Sequence, residues 1–431
     1  MFLLCNVLFF LGFLLLSPYY LWRMCRRGGY AKNFGQRFGF YSPDVRQQLA
    51  QGNAIWIHSV SVGETHAVTL VAQRLRELFP DALIVWSTTT STGYAEIHSR
   101  KPSGAVPLYY PIDFPWIVNR ALQLIRPRAL ILAESEIWPN MIRMLAQRNV
   151  PIALINAKIS PRSHRRYLKL GKLARETFGR FSLVAAQEPE DLERLSMLGI
   201  ARDRIHPVGS LKFDAAIPQT SGARFDPWIP LTKLGVQRGQ PILLGGSTWP
   251  GEEEVLFDIL HELHANIPDL FLILVPRHAE RTPDVVQSAK QKQVRFALRT
   301  EPDSTGPVEC LIVNTTGELR SFYEAATVVF VGKSLFVVEK SLQNPIEPAA
   351  LGKAVVVGPN IESFDAIVNK FLSAHAMVQV RDATGLKTEV RRLLQDAKAR
   401  ETIGVKAAHV VEQNRGAVEK TVKLLANLLG R

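Results

Sequence analysis

The chain has 431 residues, too many for one ordinary α/β core, so two domains of roughly 200 residues each are expected. With 47% hydrophobic and 21% charged residues it is globular and not disordered. Its three cysteines, Cys5, Cys25 and Cys310, form no CxxC pair and keep no metal-ligand spacing to a histidine, which argues against a disulfide framework and a structural zinc. The formal net charge of +13 suits nucleic acid, an anionic membrane surface or phosphorylated substrates without choosing among them.

Residues 1–22 carry no charge and are rich in Phe and Leu; as a helix they reach about 33 Å, enough for a hydrocarbon core. Arg23, Arg26 and Arg27 follow at once, then Lys32 and Arg37. Positive flanks stay on the cytoplasmic side, so a single N-terminal anchor with the body at the cytoplasmic face of the plasma membrane is expected. A cleaved signal peptide fits poorly, because the basic cluster comes after the apolar run. Pro18 leaves open a shallow insertion instead of a full span.

Residues 23–214 read as the first domain. Strands are predicted at Ala54–Val60, Ala82–Thr88, Ala129–Ala133, Ile152–Ile155 and Leu183–Ala186, and a helix at Thr65–Leu78. Residues 215–240, with Pro218, Gly222, Pro227, Pro230 and Gly239, read as a linker. Residues 241–431 form the second domain, with strands at Ile242–Leu244, Phe271–Val275, Cys310–Val313, Val328–Val331, Ala354–Val357 and Met377–Val380. A terminal helix is predicted over Val405–Leu429. Apolar strands alternating with helix-length segments imply α/β architecture: two doubly wound, Rossmann-like domains with ligands at the carboxyl ends of the strands, facing an interdomain cleft.

Candidate functional residues cluster where strands end. In His58-Ser59-Val60-Ser61-Val62-Gly63-Glu64-Thr65, Glu64 stands at a helix start, where a carboxylate can take a proton from an attacking hydroxyl or merely complement the helix dipole. Glu134 and Glu136, after the Ala129–Ala133 strand, suit a polar cleft or a helix cap. Lys212 stabilises negative charge or is a solvated surface residue. Gly245-Gly246-Ser247-Thr248 has the glycines and hydroxyls of a phosphate cradle but is neither a Walker loop nor GxGxxG, and Glu252–Glu254 behind it would repel phosphate unless turned away. Arg277, after Pro276 and before His278, can pair with phosphate. Gly317-Glu318 opens a helix that could hold an anion; Pro345 suits a first helical turn, and Glu347 could accept from ribose hydroxyls. The acids and a lysine therefore fall in the first domain and the phosphate- and ribose-type groups in the second, as an acceptor side and a donor side would.

Taken in order, HSVSVGET, AESEIWPN, NAKIS, GSLKFD, GGST…GEE, PRHAER, GEL and NPIEPAA resemble the 3-deoxy-D-manno-octulosonate (Kdo) transferases over essentially the whole chain, N-terminal anchor included. The resemblance implies the two-domain GT-B fold and an inverting glycosyltransferase of lipopolysaccharide synthesis. It implies CMP-Kdo as donor, a lipid A precursor as acceptor, and no redox cofactor or metal. It makes Glu64 the general base and Glu134 and Lys212 the transition-state residues. It assigns CMP to Pro276 and Arg277, to Thr316, Gly317 and Glu318, and to Asn344, Pro345, Ile346 and Glu347. An anionic membrane surface remains a partner; no nucleic-acid motif appears. The alternative is a GT-B transferase or epimerase with another nucleotide sugar. The chain departs from the family pattern at Trp249, where a His is usual; at Gly332-Lys333-Ser334, where Gly-Gly is usual; and at Ser341-Leu342-Gln343, where Gly-Gly-His is usual.

Overall fold

The computed structural model describes residues 2–27, 33–217, 225–301, 307–336 and 342–430; Lys32, Pro218, Gly222 and Ser341, singled out above, lie outside them. The chain divides into two compact units, residues 1–215 with 415–431, and residues 216–414.

In the first unit, seven parallel strands are β1 (Ala54–His58), β2 (Ile84–Thr88), β3 (Val106–Tyr109), β4 (Pro127–Ala133), β5 (Ile152–Ala157), β6 (Leu183–Ala186) and β7 (Ile205–Pro207). Their order in the sheet is β3-β2-β1-β4-β5-β6-β7. Alternate side chains point to opposite faces, and both faces are covered, which is why the strands read as unbroken apolar runs. Trp56, Leu130 and Leu154 pack on one side with Phe178. Ile55, Ile57 and Ile131 pack on the other against Val68, Val71 and Leu75 of the helix Val62–Leu78. Chain order reverses between β1 and β4, and this switch point is where an open parallel sheet leaves a crevice for ligand.

The second unit repeats the plan. Its strands are β8 (Ile242–Thr248), β9 (Phe271–Pro276), β10 (Phe296–Leu298), β11 (Cys310–Ile312), β12 (Val328–Val331), β13 (Ala354–Val357) and β14 (Val378–Gln379). They run parallel in the order β10-β11-β9-β8-β12-β13-β14, with the reversal between β8 and β12.

The C-terminal segment corrects two expectations. It is not one helix: Ala397–Gln413 ends, Gly416 turns the chain at φ 92, and Ala417–Leu428 follows. A positive φ of this kind costs a glycine little and breaks the helix there. The last helix also does not belong with residues 241–414. Val418, Val422 and Leu425 are buried in the core of the first unit, beside Val68 and Val71. Asp214 fixes its start, accepting from the amides of Gly416 at 2.8 Å and Val418 at 3.1 Å.

At the other end, the helix Phe2–Arg27 continues through Pro18. Phe9, Phe10 and Phe13 lay their rings on Phe114 at 5.0, 5.8 and 5.5 Å, and Asn6 exchanges amide hydrogen bonds with Asn140. The opposite face carries exposed Leu11, Leu14, Leu15 and Leu16, with Leu15 at 80% exposure. Among the described residues no helix is long and apolar enough to cross a membrane.

Candidate active site

At the carboxyl end of β1, Ser61 caps the helix Val62–Leu78, its Oγ accepting from the Glu64 amide at 3.2 Å. Glu64 returns the bond: its carboxylate accepts from the Val60 amide at 2.8 Å and from the Ser61 hydroxyl at 3.1 Å. The reciprocal bonds are like a capping box but reach one residue further back, to Val60, so Glu64 does serve the helix start and its carboxylate is held in one place. Burial raises the Glu64 pKa above the ordinary carboxylate value. The Val60 bond opposes that rise, the Glu134 charge adds to it, and Ser61 and the Lys212 charge oppose it.

Across the switch point, Glu134 follows β4 at once, its backbone in the left-handed region at φ 55. Its Oε1 pairs with Lys212 Nζ at 3.0 Å and accepts from Asn156 Nδ2 at 3.2 Å. Buried Asn156 also turns left-handed, at φ 51. Its Oδ1 accepts from the Leu211 amide at 3.1 Å, which fastens the short helix Leu211–Ala215 and the Lys212 it carries. One asparagine at the end of β5 thus ties Glu134, after β4, to Lys212, after β7. Short polar side chains tolerate the left-handed conformation best, and strain of this kind concentrates at functional sites.

Glu136 is the third acid. Burial, then the charges of Glu64 and Glu134, lift it from an ordinary 4.5 to about 7, with the nearby Trp138 indole opposing the rise. Its Oε2 lies 3.9 Å from Nε2 of His58. Burial brings His58 down to about 3, so the ring is neutral. Its Nδ1 donates to the Ser87 carbonyl at 3.0 Å, the ring stacks on Tyr110 at 3.9 Å, and Nε2 has no hydrogen-bond partner. Sequence reasoning placed Glu64, Glu134 and Lys212 in the site, and the fold brings all three together. It gave no role to His58 or Asn156, although both stand in the HSVSVGET and NAKIS motifs, and none to Tyr110, which no motif marked.

In the second unit the phosphate-cradle reading of Gly245-Gly246-Ser247-Thr248 is overturned. These residues belong to β8 itself. A Cβ on Gly245 would stand 2.5 Å from Leu256, and one on Gly246 would stand 2.6 Å from the Tyr323 hydroxyl, so the glycines are required by packing. The acidic run explains the rest. Buried Glu252 accepts from the amides of Trp249 (2.9 Å), Lys333 (2.8 Å), Ser334 (2.9 Å) and Leu335 (3.0 Å). The backbone seat that could have taken an anion is filled by the protein's own carboxylate. Glu253 is equally buried, paired with Arg281 at 2.8 Å.

The residues that the resemblance assigns to the donor follow the carboxyl ends of β9, β11 and β12. Pro276 closes β9, and exposed Arg277 follows, its amide donating to the Thr248 carbonyl at 3.1 Å. Thr316 and Gly317 lead to Glu318, which pairs with Arg299 at 3.1 Å. Asn344 donates to Glu347 at 3.0 Å and accepts from the Ile346 amide at 3.0 Å. Pro345 is the cap of the helix Ile346–Ala350, one place before the first-turn position foreseen for it.

Two parallel-sheet Rossmann-like units make up the fold, with a buried acid cluster on the first and basic groups at the strand ends of the second. The structure of UDP-GlcNAc 2-epimerase from Neisseria meningitidis bound to UDP-GlcNAc shares this fold, with a TM-score of 0.59 at 13% identity over 87% of this chain and 100% of that one. Residues 32–215 match the family model of 3-deoxy-D-manno-octulosonic-acid transferase (kdotransferase). The chain is 30% identical to the 3-deoxy-D-manno-octulosonic acid transferase of Haemophilus influenzae, over 93% of this chain and 92% of that protein. It is 31% identical to that of Bordetella pertussis, over 95% and 96%. The chain belongs to the 3-deoxy-D-manno-octulosonic acid transferases and is a glycosyltransferase.

The raised pKa of Glu136 has a sign that can be measured. A carboxyl whose folded pKa exceeds its unfolded value contributes stability below about pH 4.5 that is lost as pH rises through about 7. Glu136→Gln should therefore leave stability at pH 4.5 nearly unchanged and raise it at pH 8 by about 3 kcal/mol. Urea denaturation at the two pH values measures this, and an equal effect at both would contradict it.

Proposed function

We propose that this protein transfers Kdo from CMP-Kdo to a hydroxyl of a lipid A precursor in lipopolysaccharide synthesis, with inversion at the anomeric carbon. The observation that carries the proposal is the placement of Glu64 at the β1/β4 switch point, fixed by Val60 and Ser61 and flanked by the Glu134–Lys212 pair. In this reading Glu64 accepts the proton of the attacking hydroxyl, and the freed oxygen bonds to the anomeric carbon. The bond to CMP breaks, and its electron pair leaves on the phosphate. Burial makes Glu64 a stronger base than an exposed carboxylate. The Val60 bond and the Lys212 charge favour the ionised form, which the step requires. Lys212 offsets the negative charge that gathers around the leaving phosphate and the sugar carboxylate. Pro276, Arg277, Thr316, Gly317, Glu318, Asn344, Pro345, Ile346 and Glu347 are the proposed CMP contacts. The step needs no redox cofactor and no metal.

The membrane is the second element of the proposal. The helix Phe2–Arg27, docked through its phenylalanines and presenting Leu11, Leu14, Leu15 and Leu16 outward, suits insertion of one apolar face into the cytoplasmic leaflet. The exposed basic residues Arg162, Arg165, Arg166 and Lys169, next to exposed Leu168 and Leu170, suit an anionic surface.

Glu64→Gln keeps an oxygen for the Val60 amide but cannot take a proton. Its kcat for Kdo transfer should fall by about 10²–10⁴-fold. CMP-Kdo affinity, measured by calorimetry, should stay within about twofold of wild type, and near-normal turnover would remove Glu64 from the mechanism. For the membrane, a Leu14→Asp/Leu15→Asp variant should lose most of its flotation with phosphatidylglycerol-containing vesicles, since each buried leucine contributes about 1.5–3 kcal/mol. Undiminished flotation would contradict the anchor.

A further inference from the structure

Two of the departures from the family pattern touch each other. Lys333 follows β12 and Trp249 follows β8, so they stand on the two sides of the switch point in the second sheet. Lys333 Nζ lies over the Trp249 ring, 4.6 Å from its centroid. Trp249 also meets the ring of His278 at 5.6 Å, edge to face, and His278 adjoins Arg277. Burial, then the Arg277 charge, lowers the His278 pKa.

Backbone and side chain of Lys333 are both held. Its φ is 59, a left-handed conformation that costs a lysine free energy and persists only where the surroundings impose it. The surroundings are Glu252, which gathers the amides of Trp249, Lys333, Ser334 and Leu335. Because this carboxylate occupies those four amides, they are taken and cannot receive negative charge arriving at the switch point. Indole under the ammonium restrains a flexible four-carbon stem and keeps its charge at the crevice.

We propose that Lys333, laid across Trp249, binds an oxyanion of the nucleotide-sugar donor, its phosphate or its sugar carboxylate, with Trp249 as the positioning residue. The proposal rests on the donor reading above. It assigns the Trp249–Lys333 contact the anion recognition that backbone amides supply in other strand-to-helix turns.

Lys333→Gly separates binding from folding. Glycine relieves the left-handed backbone, so the variant should melt no lower than wild type, while its affinity for the donor falls at least tenfold by calorimetry. Lys333→Met should lose affinity similarly, and Lys333→Arg should recover most of it. Trp249→Ala should weaken binding three- to tenfold and Trp249→Phe should restore it. CMP and CMP-Kdo are titrated separately. Equal losses for both support the proposal and identify the phosphate; a loss confined to CMP-Kdo supports it and identifies the carboxylate. Binding of both ligands within twofold of wild type in Lys333→Gly and Lys333→Met overturns it. A wild type that prefers a UDP-sugar would remove the donor reading alone, and the same variants titrated with that sugar would still judge Lys333.

Discussion

A parallel strand can be followed by another only through a crossover, so every turn that leaves a strand's carboxyl end lies on the same edge of its sheet. That constraint gathers residues far apart in the chain. In the first unit it collects Glu64 after β1, Glu134 and Glu136 after β4, Asn156 at the end of β5 and Lys212 after β7. In the second it collects Trp249 after β8, Arg277 after β9 and Lys333 after β12. In both sheets the chain order reverses beside the first strand, and the residues with the most unusual surroundings stand at that reversal.

The buried carboxylates are put to different uses by their partners. Glu252 accepts four backbone amides and shapes a loop; removing it would strand those donors. Glu134 is balanced by Lys212 and located by Asn156. Glu136 faces neutral His58 and like charges, and its acid form is favoured up to about pH 7. Glu64 joins two roles that the sequence set against each other, because the same amide and hydroxyl bonds that tie it to the helix start also hold the carboxylate proposed as the base.

Central strands were legible because burial on both faces leaves an apolar run such as Ala54–His58 or Val328–Val331. The three strands that went unread, β3, β7 and β10, are all at sheet edges. They are short, and Pro107, His206 and Pro207 interrupt the pattern in two of them. The terminal helix misled because the periodicity runs on across Gly416, whose left-handed turn breaks it locally, and because the pull of Asp214 is a long-range effect. Glu64, Glu134 and Lys212 could be named from motifs, but the bond that assembles two of them runs through Asn156, whose left-handed turn no local pattern announces. The glycines of β8 misled for a related reason: packing against Leu256 and Tyr323 demands the same residue that close approach of a phosphate would.

The central proposal is Kdo transfer from CMP-Kdo to a lipid A precursor, with Glu64 as the base. Mass spectrometry of the lipid recovered after incubating the protein with CMP-Kdo and a lipid A precursor tests it most directly. The account predicts a glycolipid heavier by a whole number of Kdo residues, with one CMP released for each. An unchanged lipid with CMP-Kdo, together with a product from a different nucleotide sugar, would contradict it.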